Sequence, residues 1–511
     1  MPEGATVLEA ARRLGLDIPT LCFREGLPAG TSCMACVVKV AGRDGLVPSC
    51  ATRAEDGMRI ESETEEVREA RRAALELLLG DHLGDCIGPC HGACPAHMDI
   101  PRMIREIARG DLRGAIATVK ARIALPAVLG RICPAPCERA CRRGAHDAPL
   151  AIMHLKRRAA DADLAGGEPY LPPCRPPSGK RVAIVGAGPT GLAAAYYLLQ
   201  DGHTCTLLDD REKAGGALRY AIGEDRLPRA VLEAEIGVIA RLGAAFRAGA
   251  RVGRDVALED LRHEFDAVVL ALGEPAAGEA ERLDLRAEGG RIAIDKETFE
   301  TSLPGVFAAG DAVRKGNRMA VRAVADGRAV AACVANRLAG RPIAGVHREF
   351  TVHIGQVTEA EMAAFLEGAL KDGRVEPSGG PATGLAPEEA RREAARCLRC
   401  DCRKPVACKL RRYADLYGAR PARYKGERRA FTQYADHPDL VYEPGKCIAC
   451  GICIRIAEAA SERLGLTFIG RGFRVRVGVP FGETVAEGLR ETGLACAEAC
   501  PTGAIALKRD A

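Results

Sequence analysis

Cysteines in tight groups carry the chemistry this chain announces. Most of its 22 cysteines have two or three residues between them and a neighbour. Such spacing converges thiolates on one metal centre, whereas disulfides need a suitable Cα separation and an oxidising compartment. The groups are Cys22, Cys33, Cys36 and Cys50; Cys86, Cys90 and Cys94; Cys133, Cys137 and Cys141; Cys397, Cys400, Cys402 and Cys408; and Cys447, Cys450, Cys453, Cys496 and Cys500. Cys174, Cys205 and Cys333 stand alone and read as small buried residues. Thiolate sets of this kind take iron–sulfur clusters, with zinc the competing occupant of any one set.

The second chemical element is a glycine fingerprint. Lys180 to Gly216 reads KRVAIVGAGPTGLAAAYYLLQDGHTCTLLDDREKAGG. The apolar run Val182 to Val185 predicts a strand, and a helical pattern begins at Leu192. Gly186 allows the tight turn and Gly188 lets backbone N–H groups approach a pyrophosphate. Gly191 lets the helix pack on the strand with its N-terminus aimed at the phosphates, and Pro189 suits the first helical turn. A second strand, Thr204 to Leu208, ends at Asp209, whose carboxylate can hold a ribose hydroxyl. Gly215 and Gly216 close the next turn, VVLALG ends a strand at Gly273, and VFAAGD stops on Gly310 and Asp311.

This set resembles the two-dinucleotide-fold flavoproteins, most closely the glutamate synthase small-subunit family. The resemblance implies FAD, with Gly310 and Asp311 beside the ribityl and phosphate. It also implies a helix containing Ala325 and Gly327 that approaches the isoalloxazine. The family carries an NAD(P)H domain between its two flavin halves. Here only about thirty residues join Gly273 to Val306, too few for a further βαβ-based domain, and no second fingerprint occurs.

The elements that position the thiolates follow in chain order. Residues 1–62 combine a short amphipathic helix (Val7, Leu8, Ala11, Leu14), a cysteine loop and a β run. Four cysteines in one small domain suit a [2Fe–2S] cluster. The segment resembles the N-terminal ferredoxin domain of the large iron–sulfur subunit of respiratory complex I and of iron hydrogenases. Those domains begin with a β-hairpin before the PEGATVLEAA segment, and this sequence starts at Met1-Pro2-Glu3. The expectation is a sheet short of its first strands, or a start site set too late.

Residues 63–160 read as a helical [4Fe–4S] domain. A charged helix over Glu65 to Leu79 leads to His82, Cys86, Cys90 and Cys94. The LLL…H-x3-C arrangement resembles the His-plus-three-Cys cluster of the same complex I subunit. The stretch from CHGACPAH to GRICPAPCERACRRG resembles the iron–sulfur domain of the glutamate synthase small subunit, which implies two [4Fe–4S] clusters. Six cysteines are two short of eight, and the family's first cysteine is lacking near Leu83. His82 is either a further ligand or a helix-end histidine suited to the dipole there. One cluster or two, and the pairing of their ligands, stay open at this level.

Residues 161–180 are a Gly- and Pro-rich linker to the FAD-binding domain, 178–345. Residues 371–388 read as a second exposed linker. In the Cys-rich segment 388–415, the spacing C-x2-C-x-C-x5-C is irregular. Its neighbours Arg399, Arg403, Lys404 and Lys409 favour thiolate over thiol. Iron–sulfur is the reading there, with zinc the alternative. The basic residues form either a docking face for an acidic partner or solvated surface.

Residues 440–508, with GKCIACGICIRIAEAA and CAEACPTGAIAL, resemble the two-cluster ferredoxin module of complex I and iron hydrogenases. In that module each C-x2-C-x2-C-x3-C motif lends its last cysteine to the other motif's cluster. The first motif has Ala457 in its fourth place, and the second has Arg490 and Gly493 in its first two. The resemblance therefore implies one cluster, on Cys447, Cys450, Cys453 and Cys500, and the loss of the other, which would keep Cys496 alone.

Composition sets the outer bounds. At 511 residues, with 47% hydrophobic content, the chain is long enough for several globular domains. A formal charge of +5 is small for this length and does not call for nucleic acid. No signal pattern or membrane-length apolar run occurs, so no membrane insertion and a cytoplasmic location are expected. The expected architecture is multidomain α/β and α+β: an N-terminal [2Fe–2S] ferredoxin-like domain, a helical Fe–S domain, a single FAD-binding doubly wound domain and a C-terminal [4Fe–4S] ferredoxin-like domain. Expected cofactors are FAD, one [2Fe–2S] cluster and about two to four [4Fe–4S] clusters.

Flavin exchanges electrons singly or in pairs, and a cluster passes one. The leading reading is an electron-transfer subunit of a larger oxidoreductase, whose partners are other redox subunits or a ferredoxin and hold the substrate site. The alternatives are a self-contained NAD(P)H-dependent enzyme resembling the glutamate synthase small subunit, and a non-catalytic scaffold. The intact fingerprint argues against the scaffold.

Overall fold

A computed structural model describes residues 4–316, 318–347 and 349–508. Met1–Glu3, on which the reading of the start turns, lie outside them. Two compact units form, one from residues 1–88, 349–369 and 398–511, the other from 89–348 and 370–397. The division falls inside two segments that the sequence treats as continuous, after Gly88 in 63–160 and after Cys397 in 388–415.

In the 89–348/370–397 unit, helices form where a capping carboxylate precedes an apolar stripe. Asp99 accepts from the Arg102 amide and starts Ile100–Ala108, which buries Ile100, Met103, Ile104 and Ile107. Asp111 caps Leu112–Lys120 in the same way, accepting from the Gly114 amide at 2.8 Å. With Pro126–Ile132 and Ile152–Ala165 they make a helical layer whose core runs on into the dinucleotide-type fold.

That fold is one five-stranded parallel sheet. Its strand order is Val306–Ala308, Ala267–Leu270, Arg181–Val185, Thr204–Asp209, Ala245–Ala248. The two central strands Arg181–Val185 and Ala267–Leu270 are almost wholly apolar and buried, because helices cover the sheet. Helix Pro189–Gln200 packs on Ala320–Leu338. Gly327 permits the close approach, since a Cβ there would lie 2.3 Å from the Thr190 carbonyl oxygen. Between Leu270 and Val306 the chain makes only the short helix Glu279–Arg282 and a hairpin of Ala287–Glu288 with Arg291–Ile292.

Residues 371–388 are not a free linker. Arg374 pairs with Glu138 at 2.9 Å, the Val375 amide donates to Glu393 at 2.8 Å, and Leu385 is buried. Most residues of the segment are exposed, as its Pro and Gly content implies, while Pro377 and Leu385 are buried and these contacts tie it to the neighbouring helices.

The other unit holds the N-terminal segment. Thr6 and Glu9 form a capping box for Val7–Arg13. Strand Val37–Val40 lies antiparallel between Leu46–Pro48 and Ile60–Glu61. Thr64 caps the long helix Glu65–Gly80. Toward the C-terminus, Leu440–Tyr442 pairs with Ile505–Leu507, and Thr467–Ile469 with Arg476–Gly478, around helices Ile452–Ala459 and Gly493–Ala499. Among the described residues no helix is long and apolar enough to cross a membrane.

Candidate functional site

The glycine fingerprint opens onto a cleft above the carboxyl ends of the parallel strands, where open α/β sheets bind ligands. Gly186, Gly188, Pro189, Asp209, Gly216, Gly273 and Asp311 line it, around about 1360 Å³ of space not filled by protein. At Gly188 a Cβ would enter open room, its nearest neighbour being the Gly216 Cα at 3.9 Å. The backbone is thus held bare toward the cleft, as approach to a pyrophosphate requires. Gly191 does different work: a Cβ there would lie 1.9 Å from the Gly186 carbonyl oxygen, so this glycine allows helix to meet strand.

Gly310 has φ +75°, and a Cβ on it would strike the Thr190 hydroxyl at 2.5 Å. Gly191, Gly310, Ala325 and Gly327 do not line the cleft. Asp209 is already engaged: Oδ2 accepts from the Ala187 amide at 2.7 Å and Oδ1 from the Arg211 amide at 2.9 Å. Its carboxylate braces the glycine loop, leaving its second lone pairs for any ribose hydroxyl. Arg211 and Arg251 also line the cleft and supply cationic charge that the fingerprint alone does not reveal.

In the N-terminal segment, Cys22, Cys33, Cys36 and Cys50 are all buried. The Cys36 and Cys50 sulfurs are 3.4 Å apart. Hydrogen bonding between the paired thiols pulls Cys22 and Cys36 down and pushes Cys33 and Cys50 up. Four sulfurs in a dry pocket, two of them biased to thiolate, fit the donor set of a [2Fe–2S] cluster.

In the helical layer Cys94, Cys133 and Cys137 line one cavity together with Lys156. Burial pushes the Cys137 thiol up to about 12, and the nearby Lys156 ammonium opposes it. Cys90, on helix Pro89–Ala93, and Cys141 and Cys397 pack on the same core. No spacing rule points to Lys156, because it lies in a helix after the last cysteine of the group.

In the C-terminal segment Cys447, Cys450, Cys453 and Cys500 line a single cavity with about 370 Å³ of unfilled space. Burial raises Cys447 to about 12 and Cys450 to about 11. Cys496 does not line this cavity; it is fully buried and its thiol donates to the Cys453 carbonyl at 3.7 Å. Lys404 is engaged within the chain. Its ammonium donates to the carbonyls of Ala497, Glu498 and Cys500 at 2.7–2.9 Å, closing the C-terminus of helix Gly493–Ala499.

Cys400 packs on a cluster that includes Leu83, while Cys86 and Cys408 share a second buried cluster. Among the described residues no three or more His, Cys, Asp or Glu side chains are disposed around a single metal ion. An iron–sulfur cluster instead holds its thiolates at the corners of an object several atoms wide.

Comparison with known proteins assigns three segments. The 2Fe-2S iron-sulfur cluster binding domain family matches residues 1–65. The family described as dihydropyrimidine dehydrogenase domain II, 4Fe-4S cluster, matches 60–167. The pyridine nucleotide-disulphide oxidoreductase family matches 154–327. Residues 1–327 thus comprise a 2Fe-2S domain, a helical 4Fe-4S domain and a flavin-type domain with a parallel sheet.

The NADP(+)-dependent formate dehydrogenase subunit beta of Moorella thermoacetica is 42% identical over 199 residues, covering 35% of this chain and 28% of that protein. The NADPH-Fe(3+) oxidoreductase subunit beta of Geobacter sulfurreducens is 41% identical over 181 residues, covering 35% and 27%. The glutamate synthase [NADPH] small chain of Mycobacterium tuberculosis is 40% identical over 177 residues, covering 35% and 36%. The chain thus spans about a third of the length of the curated relatives it matches.

Proposed function

Through these segments the chain belongs to the glutamate synthase small-chain and dihydropyrimidine dehydrogenase type of FAD and iron–sulfur oxidoreductases, and from that premise we propose that it is an electron-transfer subunit of a larger oxidoreductase. It exchanges electrons between FAD and several iron–sulfur clusters, and a partner subunit holds the substrate site.

The observation that carries this reading is the connection from Leu270 to Val306. It contains one short helix and a two-stranded hairpin in place of a second nucleotide fold. Two of the relatives are themselves named as beta subunits. When bound, FAD exchanges electrons singly or in pairs, whereas each cluster passes one at a time.

The protein's own part is placement and tuning. The bare backbone at Gly186, Gly188 and Gly216 takes the pyrophosphate, aided by the N-terminus of helix Pro189–Gln200. Arg211 and Arg251 offset phosphate charge from the cleft wall. The [2Fe–2S] ligands in this reading are Cys22, Cys33, Cys36 and Cys50. A C-terminal ferredoxin-like domain, residues 440–508, binds a [4Fe–4S] cluster through Cys447, Cys450, Cys453 and Cys500. Cys450 is buried and Cys447, Cys453 and Cys500 are half-buried, which limits water at the cluster, and metal loading is coupled to proton release from the thiols.

A second reading, a self-contained NAD(P)H-dependent enzyme, draws on the relatives named for NADP(H). One anaerobic experiment separates the two. The reconstituted full chain is mixed with NADH or NADPH, and flavin and cluster bleaching are followed against a dithionite-reduced control. The electron-transfer reading expects bleaching by dithionite and none by either nucleotide. Rapid, saturable bleaching by one nucleotide hands the function to the second reading.

A further inference from the structure

Cys86 is adjacent in sequence to Cys90 and Cys94, yet those two pack into the core of the 89–348/370–397 unit, whereas Cys86 belongs to the other unit. There the loop after helix Glu65–Gly80 is pinned at three points. The Leu83 amide donates to Gly445 at 2.7 Å, Asp85 accepts from the Ile354 amide at 2.9 Å, and the Cys86 amide donates to Val352 at 3.3 Å.

A distant segment meets the same place. Gly503 has no Cβ, and one would lie 2.5 Å from the Cys402 sulfur. The Lys409 amide donates to Pro501 at 2.9 Å, which fixes the neighbouring Cys408. The buried Lys446 side chain links the two sides: a Cβ at Gly84 would lie 2.6 Å from its Cε, and one at Gly503 would lie 3.8 Å from its Cδ. Cys86 and Cys408 occupy one buried cluster.

The remaining donor is His82, four residues before Cys86 on the same loop. Its Nδ1 is buried and has no hydrogen-bond partner. An orphaned imidazole nitrogen in a dry interior is costly unless something takes its lone pair or proton.

We propose that His82, Cys86, Cys402 and Cys408 together hold one [4Fe–4S] cluster, built from two stretches of chain more than three hundred residues apart. This rests on the reading of the chain as an iron–sulfur protein but is independent of which molecule delivers its electrons. Cys90 and Cys94 then serve the other unit, and Cys402 and Cys408 do not form a self-contained site with Cys397 and Cys400.

The test counts iron and resolves cluster signals by electron paramagnetic resonance in the anaerobically reconstituted full chain. Cys86→Ser, Cys402→Ser and Cys408→Ser each lose the same signal and about four irons, and the Cys86→Ser/Cys408→Ser double variant loses no more than either single one. The signals of the other clusters report that each variant has folded. A double variant that loses about eight irons, or distinct signals lost in the two single variants, overturns the shared site.

Histidine is tested without a destabilising change, by labelling the wild-type chain with ¹⁵N-histidine. A strongly coupled nitrogen on the same signal, absent from His82→Cys while its iron is kept, is the expected result. No histidine nitrogen coupling on that signal overturns His82 as a ligand. The nucleotide experiment above can fail in either direction without changing these counts.

Discussion

Arg143, two residues beyond Cys141, donates from Nη1 to the carbonyl oxygen of Arg396 at 2.5 Å, and so fixes the backbone immediately before Cys397. Both arginines are fully buried. Arg143 also donates to the Leu370 carbonyl at 2.7 Å and to Asp147, and Arg396 bonds Glu393 and Asp147 in turn. A late segment of the chain is thereby locked beside the loop that carries Cys133, Cys137 and Cys141.

Arg143→Met removes this lock, taking one donor from the buried Arg396 and Leu370 carbonyls and leaving Asp147 to Arg396 and the Ala148 amide. The expected cost is about 3–5 kcal/mol. Chemical denaturation measures it, and limited proteolysis should newly cut within 370–397 while the rest of the chain resists.

Gly188→Ala and Gly191→Ala separate ligand binding from folding. The first adds a methyl group to open cleft space, so the chain keeps its melting temperature while FAD binding weakens roughly tenfold or more, at least ~1.4 kcal/mol. The second drives a methyl group into the Gly186 carbonyl and costs about 2–3 kcal/mol of stability even in the flavin-free chain. Equal loss of stability in both variants would refute the division.

Cys500→Ser and Cys496→Ser should differ sharply although the two residues share a helix and its end. Cys500 lines the C-terminal cavity, so its loss removes about four irons. Cys496 lies outside it, so its replacement leaves the iron count unchanged. Iron analysis of the two variants, with the remaining cluster signals as a folding control, decides the matter.

Glu235 predicts a pH dependence. It accepts from the amides of Ala127 and Val128 at 2.8 and 2.9 Å, at the start of helix Pro126–Ile132. Burial raises its carboxyl to about 7 from an ordinary 4.5, outweighing the opposing pull of the Val128 and Ala127 amides. The folded chain therefore keeps this proton where the unfolded chain has lost it. The resulting stability is fully present below about pH 4.5 and is lost as pH rises through about 7, by roughly 3 kcal/mol. Glu235→Gln should flatten the unfolding free energy across that window; an unchanged slope would show that Glu235 is ionised throughout.

Much of the flavin-type fold was legible because its signals are local. The run Val182–Val185, the glycines after it and Asp209 lie within thirty residues, and strand, turn and helix follow from alternation and backbone freedom at that range. The role of Asp209 was not legible, since the Ala187 and Arg211 amides occupy it only once the loop has folded. The bonding of Lys404 was not legible for the same reason. In sequence it sits among basic residues, and in the structure it closes a helix almost a hundred residues away.

By itself, then, the amino-acid sequence determined that thiolates gather in short-spaced groups and that a glycine-rich turn stands ready for a dinucleotide. Two or three intervening residues impose convergence with little loop entropy, and a missing Cβ needs no tertiary help to be missing. Only the tertiary structure decided which groups meet. Cys86 was parted from Cys90, and Cys397 was brought to the helical core. Those meetings depend on burying one apolar surface against another across hundreds of residues. Spacing along the chain does not encode them.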